Sequence, residues 1–184
     1  MIPAENKLRT VIKTYHDSFS SKVYSDENDD HDVLMDVFGL VPAVKRENRQ
    51  YWGRELGMCW QLIVTELFRE AGKTFLPGYR EGADELCDLI TENDAIDTKY
   101  RIGSGDSGTL KKFKQYGIRL TELGKRPILL IVRDDNLPAA IGACRTGGWT
   151  ILTGAETFSY ITKKTGVDLQ TWLLSLGSEF HVIR

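Results

Sequence analysis

The sequence predicts an α/β fold with a mixed sheet, and three observations predict it. Helical and strand-like segments follow one another in the order helix, strands, helix, strand, helix, strand. Pro127 to Arg133 is a continuous apolar run, as a strand buried on both faces should be. The chain has 184 residues, 41% of them hydrophobic, enough for one domain with a sizeable core.

From the N-terminus, Leu8 to Phe19 places Leu8, Val11, Ile12 and Tyr15 at helical spacing. Residues 1–44 read as a helical accessory or dimerisation part of a single domain spanning 1–184. Ser25 to Asp32 is an acidic loop whose Asp26-x-Asn28-x-Asp30 spacing begins like a calcium loop. His31 stands where that loop needs glycine and Val37 where it needs glutamate, so the calcium reading fails. Asp32 is expected instead to cap a short helix, Val33 to Leu40, that stops near Pro42. Lys45 to Arg49 is a basic surface segment. A long helix is expected from Asn48 to Ala71, ended by Gly72, with Trp52, Leu56, Cys59, Ile63 and Leu67 in one stripe widened by Trp60 and Val64.

Phe75-Leu76 begins a strand broken by Pro77-Gly78, and a hairpin follows. Leu86 to Thr91 and Ala95 to Ile102 read as its arms around Glu92-Asn93-Asp94. Pairing Thr91 with Asp94 sets Asp88 opposite Asp97, and strand alternation puts Lys99 on the face of Asp97. Like charges opposed in an antiparallel pair cost about 0.2–1 kcal/mol, so sheet packing gives no reason for the two acids. A divalent cation does. Mg²⁺ is held by one or two carboxylates plus phosphate oxygens and water, and the lysine adds a cation beside that phosphate. The pattern is that of a phosphodiester-hydrolysing site. Asp84 shares the parity of Asp88 and is a rival first acid, with Asp88 preferred.

Asp88…Asp97-Thr98-Lys99 resembles the PD-(D/E)XK signature of metal-dependent nucleases, with Cys87 where a proline often precedes the first acid. The stretch IDTKYRIGSGDSGTLKKFKQYG is similar to the active-site region of ApaLI-like type II restriction endonucleases. The resemblance implies a restriction-endonuclease-like mixed sheet flanked by helices in an α/β/α sandwich. It further implies Mg²⁺ held by Asp88 and Asp97, with Lys99 orienting water or neutralising charge, and products with 5′-phosphate and 3′-hydroxyl ends. The partner would be double-stranded DNA, cut at a short palindrome by a homodimer. Many such enzymes add a glutamate from the helix before the hairpin, and Glu55 is the candidate here, with Glu66 second.

After the hairpin, Gly103 to Gly108 matches G-x-G-x-x-G between a strand and a helix. The preceding strand carries Asp97, Lys99 and Arg101 where a dinucleotide fold has an apolar run, and glycine equally lets a phosphate strand approach closely. Thr109 to Leu123 is a helix with Lys111 and Lys112 outward, Leu137 to Cys144 a short helix, and Trp149 to Leu152 a strand. Ala155 to Leu176 is largely helical.

Net charge is only −2, but its distribution is uneven: Asp26 to Asp36 is acidic, Lys99 to Arg126 mostly basic. Candidate DNA contacts are Arg101, Ser104, Asp106, Lys111, Lys112, Lys45, Arg46 and Arg49. No apolar run approaches the roughly 20 residues of a membrane span, and the N-terminal residues lack a signal-peptide core, so a cytoplasmic location is expected. The three scattered cysteines form no C-x-x-C pair, which argues against structural zinc and a disulfide framework. Three other readings stay open: a repair or junction-resolving nuclease, a nucleotide-binding oxidoreductase built on Gly103, Gly105 and Gly108, and a DNA-binding module without catalysis.

Overall fold

A computed structural model describes residues 27–71, 74–103 and 105–182. The expected helix over Leu8 to Phe19, the Gly72 stop and Ser104 lie outside the described residues. Three helices open the described chain. Asp32 caps α1 (Val33–Phe38) by accepting from the Leu34 and Met35 amides, and Gly39 closes it at φ 62. A proline starts α2 (Pro42–Glu47), and α3 (Arg49–Ala71) is the longest element. The buried stripe of α3 is Leu56, Trp60, Val64 and Phe68, rotated from the expected one so that the two bulkiest of the four, Trp60 and Phe68, are 0% and 1% exposed.

Next come β1 (Leu76–Pro77), a small separate ladder of β2 (Arg80–Glu81) with β3 (Asp84–Glu85), then β4 (Leu89–Ile90) and β5 (Asp94–Lys99). The chain continues through α4 (Ser107–Glu122), β6 (Arg126–Ile131), α5 (Pro138–Thr146), β7 (Thr150–Thr153), α6 (Gly154–Thr165) and α7 (Leu169–Ser175). The expected helix over Ala155 to Leu176 is thus two helices. Gly166 ends the first at φ 78, a backbone state that glycine adopts at little cost. Gly117 lies inside α4; a side chain there would overlap the Gly147 carbonyl and Trp149, so glycine lets α4 pack closely.

One five-stranded sheet, ordered β1-β4-β5-β6-β7, carries the fold. β4 is antiparallel to β1 and to β5, whereas β5, β6 and β7 run parallel. The sheet is therefore mixed, as expected. Alternate residues of its strands feed two cores. Ile96, Ile128 and Leu130 pack with α1, α3, α6 and α7 on one face. Ala95, Leu129 and Ile131 pack with α4 and α5 on the other. Each β6 side chain from Ile128 to Ile131 is 1% exposed or less, and burying such a side chain contributes about 1.5–3 kcal/mol. Among the described residues no helix is long and apolar enough to cross a membrane.

Candidate active site

The hairpin register is the expected one over its ordered part. Thr91 donates to the Asp94 carbonyl at 2.8 Å, and Leu89 and Ile90 pair with Ile96 and Ala95. The first arm, however, is two residues long rather than six, because the ladder breaks at Asp88. The Asp88 amide donates to the Ile96 carbonyl at 2.9 Å, so Asp88 and Leu89 both face the one residue Ile96. That two-against-one count is a β-bulge, which re-aims a side chain.

The consequence is a correction to the expected geometry. Asp88 does not sit on one face with Asp97 and Lys99. Its Oδ2 accepts from the Thr98 amide and the Thr98 hydroxyl, both at 2.6 Å. Its Oδ1 accepts from the Gln61 amide of α3 at 2.7 Å. Asp88 thus lies beside β5 in the plane of the sheet, turned toward α3. Asp97 and Lys99 share the parity of Ala95 and point to the α4/α5 face, where Lys99 Nζ donates to Asp97 Oδ2 at 2.6 Å and to the Thr98 carbonyl at 3.0 Å.

The three groups still act on one another. Burial, and then the charge of Asp97, pushes the Asp88 carboxyl up to about 6. Burial would lower the pKa of Lys99, but Asp97 and Asp88 together raise it above its usual value. The ammonium therefore stays charged, and one cation faces two acids. The thiols nearby are neutral. Burial pushes Cys87 up to about 11 and Cys144 to about 12, and the Asp97 charge adds to both. Neither thiol is activated as a nucleophile here.

The donor set fits a hard divalent cation. Asp88 and Asp97 are both hard oxygen donors that feel each other's charge, and Asp88 is oriented by Thr98 and Gln61 as a ligand's neighbours would orient it. Among the described residues no cluster of three or more histidine, cysteine or acidic side chains could hold a metal. Asp88 and Asp97 would leave the remaining positions to phosphate and water, the division that Mg²⁺ accepts.

The other sequence candidates fall elsewhere. Glu55 is exposed on the outer face of α3 and pairs with Arg54 at 2.9 Å; the residue of α3 beside Asp88 is Gln61. Sequence reasoning looked for a third acid and passed over this amide, whose signal was a polar residue next to the buried Trp60 stripe. Asp84 sits in the β2–β3 ladder, paired with Lys112 at 3.0 Å, and that ammonium holds its carboxyl below the usual range. Lys45 is not a surface cation. It is 4% exposed, enclosed by Glu27, the Tyr100 hydroxyl and Met35, because Tyr100 and the loop before α1 close over it. Arg46 pairs with Asp29, and Arg101 binds Asp135 through its carbonyl at 2.9 Å and Oδ2 at 3.1 Å. Asp106 caps α4, accepting from the Thr109 amide at 3.0 Å. A carboxylate thus occupies the helix end where a dinucleotide phosphate would bind, which weighs against the nucleotide reading. Arg49 and Lys111 are exposed.

No protein-family model, curated protein or solved structure matches this chain.

Proposed function

We propose that the chain is a Mg²⁺-dependent endonuclease hydrolysing phosphodiester bonds in double-stranded DNA, of the PD-(D/E)XK type. Its finer reading is a type II restriction enzyme that leaves 5′-phosphate and 3′-hydroxyl ends. One observation carries the proposal: the bulged hairpin brings Asp88, Asp97 and Lys99 into mutual electrostatic reach with one positive charge for two acids. The order helix, hairpin, helix and parallel strand around that site also agrees with the restriction-endonuclease-like fold that the resemblance implies.

Asp88 and Asp97 would hold the cation, which when bound acidifies a water and offsets charge on the phosphate. Thr98 and Gln61 keep the Asp88 carboxylate in one orientation. Lys99, about one-third exposed, is reachable from solvent and would hold an ammonium against the negative charge that grows on the phosphate as the bond breaks.

The test incubates the protein with unmodified plasmid and long linear DNA, with and without Mg²⁺, beside Lys99→Ala. Discrete Mg²⁺-dependent fragments, lost in the variant, are expected, and sequencing their ends gives the site. Cleavage of branched but not linear DNA would replace the restriction reading with a junction-resolving one. No cleavage of any DNA by folded protein would sink the nuclease reading.

A further inference from the structure

Beside the hairpin, a cleft of about 480 Å³ opens between the first turns of α3 and the chain leaving β5, within the size range of small-ligand sites. Arg49, Gln50 and Gly53 line it from the helix, and Tyr100, Arg101 and Gly103 from the strand end. We propose that this cleft binds one nucleotide of the DNA strand next to the scissile phosphate, with Arg49 on the phosphate and Gln50 on the base edge. The inference rests on the nuclease reading and deepens it by naming a substrate subsite.

Position is the first support. Tyr100 lies two residues beyond Thr98, which holds Asp88, and has the same parity as Thr98. At about 3.3 Å per strand residue the cleft floor is about 7 Å along β5, within reach of the nucleotide beside the scissile phosphate. Gly57, one turn from Gly53, faces the Tyr100 Cβ at 3.9 Å from where its own side chain would begin, so α3 and β5 form the two walls.

Space is the second. A side chain at Gly53 would meet nothing within 4 Å, so this helix position opens straight into the cleft. A side chain at Gly103 would overlap Arg101 Nη1, so glycine there lets the guanidinium lie over the loop. Asp135 grips the Nε side of that guanidinium and fixes the direction of its fork.

Charge is the third. Glu27 also borders the cleft, but Lys45 neutralises it from behind. Arg101 is offset by Asp135, and among the described lining residues the exposed Arg49 leaves a positive balance. The Gln50 amide offers a donor and an acceptor side by side, the pair that matches an adenine edge.

The test uses the full chain and a fluorescent DNA duplex, read by anisotropy, together with thermal unfolding and the cleavage assay. Gly53→Leu fills the cleft from a helix position where leucine is the better helix former, so its melting temperature should equal or exceed the wild type's. Its duplex affinity should fall by about tenfold or more, the scale of one lost charge-assisted contact. Arg49→Ala should weaken binding similarly and flatten the salt dependence by about one unit of slope. Wild-type duplex affinity in both Gly53→Leu and Arg49→Ala overturns the subsite. So does protection from unfolding by a free deoxynucleoside monophosphate with no duplex binding. If the wild type fails to cut DNA yet Gly53→Leu loses duplex binding, the subsite stands and the nuclease reading falls alone.

Discussion

At its start, β5 carries Asp94, which is 0% exposed and surrounded by donors. Arg126 reaches it at 2.7 Å, and Lys164 and the Tyr160 hydroxyl each at 2.6 Å. At its end, the same strand carries Asp97 beside Asp88, and one lysine serves both acids. Burial would raise the Asp94 pKa, but the bonds from Lys164, Tyr160 and Arg126 hold it below the usual range. Burial and a like charge instead raise Asp88 to about 6. The difference separates two uses of a buried acid. A carboxylate with more donors than it needs ties elements together, here β5 to β6 and α6. A pair with hydrogen bonds but one cation between two acids is kept short of positive charge for something that arrives later.

Breaking the first cluster should have the larger effect on the fold. Asp94→Ala leaves Arg126, Lys164 and Tyr160 without their shared acceptor; Arg126 and Lys164 can turn to solvent, so the loss is that of the charged hydrogen bonds, about 1.5–3 kcal/mol. Urea unfolding should show that loss, whereas Asp97→Asn should cost less, because the relieved repulsion with Asp88 offsets the lost pairing with Lys99. Equal losses in both variants would erase the distinction between the two ends.

The same contrast explains what was legible in the sequence. Turn residues and alternation revealed the register, since Thr91 and Asp94 close the hairpin as expected. The bulge was not legible, because it depends on the Thr98 hydroxyl and the Gln61 amide capturing Asp88 from 10 and 27 residues away. Lys45 was misread for the same reason. Its local neighbours, Arg46 and Glu47, mark a surface helix, while the Tyr100 that buries it is 55 residues distant. Short-range patterns, the Asp32 cap and the β6 run, survived because neighbours along the chain decide them, whereas the helix expected to reach Leu40 stops at Phe38 with Gly39 as its cap.

Acid titration sharpens the comparison at intermediate size. Asp88 binds its proton more tightly folded, near pH 6, than unfolded, near about 3.9. That linkage is stabilising below the unfolded pKa and is lost as pH rises through about 6. Metal-free protein should therefore gain about 1–2 kcal/mol between pH 7 and pH 5, and Asp88→Asn should abolish the gain. Asp94 has the opposite sign: its contribution holds above the ordinary carboxylate range and is lost as pH falls through its depressed folded pKa. Adding Mg²⁺ at pH 7.5 should raise the wild-type melting temperature and leave that of Asp88→Asn unmoved. A wild-type profile flat from pH 7 to pH 5 would place no charge conflict at the hairpin.

The smallest effects lie on α3, where two side chains compete for one role. Gln61 donates to Asp88 at 2.7 Å, so Gln61→Ala should cost about 1 kcal/mol and slow cleavage by loosening the acid's orientation. Glu55 faces solvent with Arg54, and exposed pairs contribute at most about 1 kcal/mol, so Glu55→Gln should change neither stability nor rate measurably. Mg²⁺ titrations of the cleavage rate for both variants decide between them. A raised metal requirement in Glu55→Gln alone would mean that α3 turns its outer face toward the hairpin when the site fills. The same shift in Gln61→Ala alone would mean that the amide, placed where a third acid was expected, holds Asp88 ready without adding another negative charge to a corner that already carries two.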